Sequence, residues 1–231
     1  MRKLTDIEMR ELDKKWKEPL KKHTRLSYDE CCMKQKLEFL FPHLFVDLQI
    51  IDKPDLQSKD ESVGIEVSSA INRVDRQIAS LAVDLFHSRT DNLEKTKKDI
   101  EELGGRIFQY GISYPEKNTQ KDYSDVINII EEKLNKLNNG TYKRFEYNYL
   151  AIDTELFLEG KHYLAESLMK DINNICSNKI KYDNIFVFNP FYVYVFDLKQ
   201  NRFSSIKCDT HEMTRCAYEA RVMVENDEVF P

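Results

Sequence analysis

Glycine and proline are scarce in this chain, six of each in 231 residues. Neither GxGxxG nor GxxxxGKS/T occurs, so readings built on a phosphate-cradling loop lose their main support. No apolar run approaches the ~18 residues that a membrane helix needs. The greasiest stretch, Phe186 to Phe196, is interrupted by Asn189 and Pro190. The N-terminal segment is charged and lacks the apolar centre of a signal peptide. The five cysteines are odd in number and form no CxxC, which points to reduced thiols. These absences predict a soluble, cytoplasmic protein with no membrane partner. Basic charge is not in excess either: 35 Lys and Arg face 40 Asp and Glu, a formal charge of −5. That excludes a histone-like nucleic-acid coater and leaves room for a local basic face.

What is present suffices for a core. Hydrophobic residues make up 41% of the chain and aromatics 11%, which rules out wholesale disorder. No repeat, low-complexity tract or composition break marks a linker. The expected organisation is an N-terminal helical extension over 1–26 and one α/β domain over 27–231. Its mixed central sheet is flanked by helices.

Periodicity sets the expected elements. Residues 1–22 read as a surface helix, with Thr5 and Glu8 at capping-box spacing. A second helix runs from Tyr28 to about Phe41, with Ser27 and Glu30 as another capping pair and Pro42 beyond it. Leu44–Ile51 reads as a strand, Ser58–Ser62 as a hairpin loop and Val63–Ser68 as an alternating strand. Helices follow over 71–87 and 92–103, the latter stopped by Gly104-Gly105. Then come a short strand over 106–112, a helix over 124–138, a strand over 147–154 and a helix over 161–177. Strands over 184–188 and 191–198 form a hairpin turning at Asn189-Pro190, and a last helix spans 210–226.

The stretch that bears chemistry is Pro54-Asp55-Leu56, nine residues, then Glu66-Val67-Ser68. Glu66 sits among apolar strand neighbours and points away from Ile65 and Val67. A carboxylate inside a central strand must be paired, metal-bound or at an open face. Mg²⁺ wants oxygen ligands, and carboxylates on adjacent strands can hold it, with the Val67 carbonyl as a further ligand. A metal so held polarises a phosphoryl oxygen and acidifies water.

The order helix, strand, Pro-Asp, short loop, Glu-bearing strand, helix resembles the PD-(D/E)XK nuclease superfamily, the restriction-endonuclease-like fold with its αβββαβ core. Asp55 matches the PD aspartate and Glu66 the (D/E) position. Glu131–Leu137 with Tyr142 and Tyr149–Ile152 resembles the family's later helix-and-strand unit, and Tyr182–Phe188 its terminal strand. The resemblance spans roughly 27–200. It implies a nuclease using Mg²⁺ or Mn²⁺ to cleave phosphodiester bonds in DNA. It leaves oligomeric state open, with a homodimer among the options.

The family's lysine position holds Ser68, and a hydroxyl supplies no cation for the transition state. Lys53, two residues before Asp55, and Arg73, at the start of the next helix, are the candidate replacements. An upstream helix glutamate often joins such sites. Because the Ser27 spacing explains Glu30 as a cap, Glu38 is the metal candidate, beside Asp55, Glu66 and Val67. The alternative reading is an inactive nuclease-fold module that binds nucleic acid or a protein partner.

Other constellations carry less. His211-Glu212 lacks the second histidine of HExxH, because Arg215 stands there. Cys208, His211 and Cys216 lack a fourth ligand at tight spacing. The aromatics from Phe188 to Phe196 alternate like a buried strand. Lys133, Lys136, Lys143 and Arg144 read as a solvated helix face that could also grip phosphates.

Overall fold

The structure, a computed structural model, describes residues 25–86, 90–108, 111–113, 119–156, 158–159, 161–177 and 179–226, with isolated positions before residue 25. The helix expected over 1–22 lies outside this described part. In chain order the elements are α1 (Tyr28–Leu40), β1 (Gln49–Ile50), β2 (Leu56–Gln57), β3 (Val63–Ser69), α2 (Arg73–Phe86), α3 (Leu93–Glu102), β4 (Arg106–Phe108), β5 (Gly111–Ser113), α4 (Thr119–Asn138), β6 (Tyr147–Asp153), α5 (His162–Ile175), β7 (Asn184–Phe188), β8 (Tyr192–Asp197), β9 (Arg202–Lys207) and α6 (Thr210–Glu225). The chain divides into two compact units, Met1–Lys21 with Ile71–Asn118, and Lys22–Ala70 with Thr119–Pro231.

The smaller unit carries α2, α3 and the β4–β5 hairpin. Ile78 of α2 and Ile100 of α3 are fully buried. Asn92 caps α3 by accepting the Lys95 N–H at 3.0 Å. The helix stops, as expected, where Gly104 takes a positive φ. A Cβ on Gly105 would stand 2.8 Å from Ile100 Cγ2, so only glycine passes there. The single strand expected over 106–112 is instead an antiparallel pair, with Arg106 opposite Ser113.

The larger unit is built on a mixed seven-stranded sheet in the order β1-β2-β3-β6-β7-β8-β9. β1, β2 and β3 form an antiparallel meander. β3, β6 and β7 run parallel through the centre. The β7–β8 hairpin turns where expected, because the Asn189 carboxamide accepts the Phe191 and Tyr192 N–H groups at 2.8 Å. Alternation splits the apolar residues between two faces. On one, Leu150, Ile152, Ile185, Val187, Tyr194 and Phe196 pack with Ile130 and Leu134 of α4 and Leu168 and Ile172 of α5. On the other, Ile65, Tyr149, Ala151, Phe186 and Phe188 pack with Met33 and Leu37 of α1.

Two strands depart from expectation. Over 44–51 only Gln49–Ile50 is extended. The Leu44 and Phe45 N–H groups both bond the Phe41 carbonyl, at 2.9 Å, so the chain leaves α1 in a helical turn. Phe45 and Leu48 are then buried from that turn while Leu44 and Val46 stay exposed. The apolar run there reflects two anchors, not a ladder. Conversely, β9 is a strand that no apolar alternation announces. It is an edge, exposed at five of six positions.

Candidate functional site

The β2–β3 register brings the two motif carboxylates together. Leu56 pairs with Ile65 and Gln57 with Gly64, so continuing the ladder sets Asp55 opposite Glu66 and Pro54 opposite Val67. Cross-strand partners project to the same face. Glu66 indeed leaves the apolar face of Ile65 and Val67 for the face that carries α4. Pro54 leads away from the ladder, and the Asp55 carboxylate takes over its work at this point. Its Oδ2 accepts the Val67 N–H at 2.7 Å. The N–H and C=O of one strand residue leave on the same edge. The Val67 carbonyl therefore leaves on the same edge as that N–H, toward Asp55.

Glu66 is only 4% exposed. Its Oε1 accepts from the Lys133 ammonium at 2.6 Å and from the Tyr142 hydroxyl at 2.8 Å. Its Oε2 is buried with no hydrogen-bond partner. A buried carboxylate oxygen left without a donor costs free energy on the order of 1–3 kcal/mol or more. The Tyr182 hydroxyl bonds the Lys133 carbonyl at 3.2 Å and fixes that turn of α4. The ring of Phe145 closes on β3 so tightly that a Cβ on Gly64 would meet it at 2.5 Å.

The surplus of negative charge shows in the titration of the neighbours. Burial first, then Glu66, pushes the Asp55 carboxyl up to about 6, although the Val67 N–H and Lys133 pull the other way. Glu30 on α1 is pushed up to about 7 by burial, and then by Asp55, Asp29, Asp52 and Glu66. Burial and the bond to Glu66 raise the Tyr142 hydroxyl well above the ordinary phenol range, so it stays a donor.

Several sequence expectations are corrected here. Ser27 makes no side-chain cap bond, so capping does not occupy Glu30. Glu38 is the committed carboxylate instead. Its Oε1 accepts the Leu48 N–H at 2.6 Å, and its Oε2 pairs with Lys34 at 2.6 Å. It anchors the turn after α1 and is spent on structure, while Glu30 is the helix glutamate that feels the pair. Lys53 does not serve the carboxylates either. Residues 52–55 form a bend, not a strand, and Lys53 has φ of 63°. The period-two argument therefore fails, and its ammonium lies 3.5 Å from Asp52, 61% exposed. Ser68 shares the Glu66 face but carries no charge. Arg73 opens α2 in the other unit.

The cation at the pair is Lys133, which the sequence reading placed on a solvated face. A signal was available. Val126, Ile130, Lys133 and Leu137 follow helical spacing along one stripe, so this lysine interrupts a buried row. Its neighbours behave as expected of surface groups: Lys136 pairs with Glu132, and Lys143 with Glu61.

A hard divalent cation fits the donor set at the pair. The Glu66 Oε2 lacks a partner, Asp55 lies across the ladder, and the Val67 carbonyl faces the same side. Among the described residues no three His, Cys, Asp or Glu side chains already converge as a metal cluster. Two carboxylates and a backbone oxygen are what the fold assembles. All five cysteines are free thiols, and no described helix is long and apolar enough to cross a membrane. Searches against protein-family models, curated proteins and solved structures find no match to the chain.

Proposed function

We propose that this protein is a divalent-metal-dependent nuclease that hydrolyses phosphodiester bonds in DNA, with Asp55 and Glu66 as its metal-holding carboxylates. One observation carries the reading: a buried strand glutamate with an orphaned oxygen lies next to a second carboxylate, Asp55, which accepts the N–H of the following strand residue, Val67. A purely structural glutamate would have both its acceptor oxygens supplied with donors. The element order supports it as well. A helix, a three-strand meander, then a helix and a strand parallel to β3 is the arrangement that the PD-(D/E)XK resemblance implies.

Asp55, Glu66 and the Val67 carbonyl would hold Mg²⁺ or Mn²⁺. When bound, the ion supplies Lewis-acid polarisation of the scissile phosphoryl group and a lowered pKa for water. The chain's own residues set the stage. Lys133 and Tyr142 both donate to Oε1 of Glu66 and leave Oε2 as the free acceptor. The Val67 N–H fixes the Asp55 rotamer by holding Oδ2. The Phe145 ring packs directly on Gly64, two residues before Glu66.

The test pairs titration calorimetry with cleavage. Wild-type protein is expected to take up Mn²⁺ and nick supercoiled plasmid in its presence, and Glu66→Gln to do neither. Equal behaviour of the two proteins in both assays would remove the reading and leave a non-catalytic module.

A further inference from the structure

We propose that Lys133 supplies, from helix α4, the fixed cation that strand β3 lacks at Ser68. This inference rests on the nuclease reading and names a further residue of the same site. Two observations carry it. The Lys133 ammonium lies 2.6 Å from Glu66 Oε1, and its side chain is only 15% exposed. Its place on the helix is fixed by the Tyr182 hydroxyl on its own carbonyl and by the buried residues Ile130 and Leu137 on either side.

The chemistry needs such a group. In hydrolysis a water oxygen joins phosphorus and one ester P–O bond breaks. One water proton ends on the leaving oxygen, and the other on the new phosphomonoester, from which solvent takes it. Negative charge grows on the phosphoryl oxygens along the way, and a preplaced ammonium stabilises it without reorganisation. Ser68 cannot do this. It does share the Glu66 face and lies two strand residues further along, ~6.6 Å away. A long side chain at that position therefore reaches the same space. The strand position and the helix position are two routes for one charge to one carboxylate.

A fixed ammonium beside the carboxylates also repels an incoming dication. Removing it therefore separates two readouts that a structural prop would move together. The variants are Lys133→Gln, which keeps a donor for Glu66 without the charge, and Lys133→Gln with Ser68→Lys. Both are assayed beside wild type and Glu66→Gln, below the melting transition of each. Lys133→Gln is expected to bind Mn²⁺ several-fold more tightly at pH 8 while nicking plasmid about a hundredfold more slowly. The added lysine at position 68 is expected to restore at least tenfold of that loss. If Lys133→Gln cuts within threefold of wild type, or loses Mn²⁺ uptake together with cleavage, the proposal is overturned. If wild type matches Glu66→Gln in uptake and cleavage, the nuclease reading itself falls. Wild-type uptake with an unchanged Lys133→Gln sinks only the assignment of the cation.

Discussion

Two lysines reach from helices to acidic residues on the central parallel strands, one on each face of the sheet, and they do different work. On one face Lys36 of α1 meets Asp153 of β6 at 3.4 Å, with the ammonium 5.7 Å from the centre of the Phe188 ring. Burial alone would lower that ammonium, but Asp153 and Cys32 outweigh it and leave it raised. The pair is balanced, one charge against one, and Asp153 keeps 38% of its side chain in water. On the other face Lys133 meets Glu66 at 2.6 Å, but the account does not close. Asp55 adds its charge to that of Glu66, and one Glu66 oxygen has no donor at all. A balanced pair holds structure together. A pair with surplus acceptors leaves negative charge that folding does not neutralise.

The sharpest way to break this contrast is to neutralise each acid in turn. Glu66→Gln should abolish Mn²⁺ uptake and reduce metal-dependent plasmid nicking by about a hundredfold or more. Asp153→Asn should leave both within a factor of two. A loss of uptake in Asp153→Asn would show that the two faces are not separable. Removing the lysines sharpens the same point in stability. Lys133→Met strands a buried carboxylate, at about 3 kcal/mol in urea unfolding without metal. Lys36→Met leaves a partner that water already reaches, and about 1 kcal/mol is expected. Saturating Mn²⁺ should return part of the first loss and none of the second.

Packing distinguishes the faces next. Gly64 shares the Glu66 face, and any Cβ there drives into Phe145. Gly64→Ala should cost about 1–3 kcal/mol by overpacking and weaken Mn²⁺ uptake with it. The smallest expected effect is on pH dependence. Asp55 and Glu30 hold protons more tightly when folded, with values pushed to about 6 and about 7. The metal-free folded state therefore binds more protons than the unfolded chain between about pH 4 and 7, and stability falls as pH rises through that window. Asp55→Asn should flatten part of the slope, as read from urea midpoints at pH 4.5 and 7.5. Mn²⁺ should reverse it, since uptake requires ionised carboxylates and weakens below pH 6.

Much of this site was legible as a pattern of residues. The spacing from Asp55 to Glu66 and the period-two run Val63–Ser68 placed both carboxylates on one face, because a two-stranded register follows from alternation and a tight loop. The Ser58–Ser62 turn formed as read, with Asp60 accepting from Ser62 N–H and both serine hydroxyls. What stayed hidden depended on contacts between distant segments. Glu38 looked like a free helix carboxylate until the chain leaving α1 turned its Leu48 N–H back onto it. Glu30 looked occupied because capping spacing is local, whereas Asp52 and Asp55 in the bend before β2 and Glu66 on β3, 22 or more residues away, also act on it. Lys133 looked solvated because a lysine on a charged helix usually is. Only the sheet register shows that this stripe faces an acid. Strand β9 escaped for the opposite reason, since an edge needs few apolar residues and its two, Phe203 and Ile206, do not alternate.

That edge has a consequence for the protein in bulk solution. One end of the described sheet is a strand of two residues, Gln49–Ile50, and the other is the polar Arg202–Lys207, with a cation at each end. A growing aggregate recruits native molecules most readily through a long, flat, apolar strand with open hydrogen-bond positions. Neither margin offers one. Concentrated samples should therefore stay dispersed until the fold itself opens, and the lag before turbidity on heating should track unfolding, not protein concentration at the native edge.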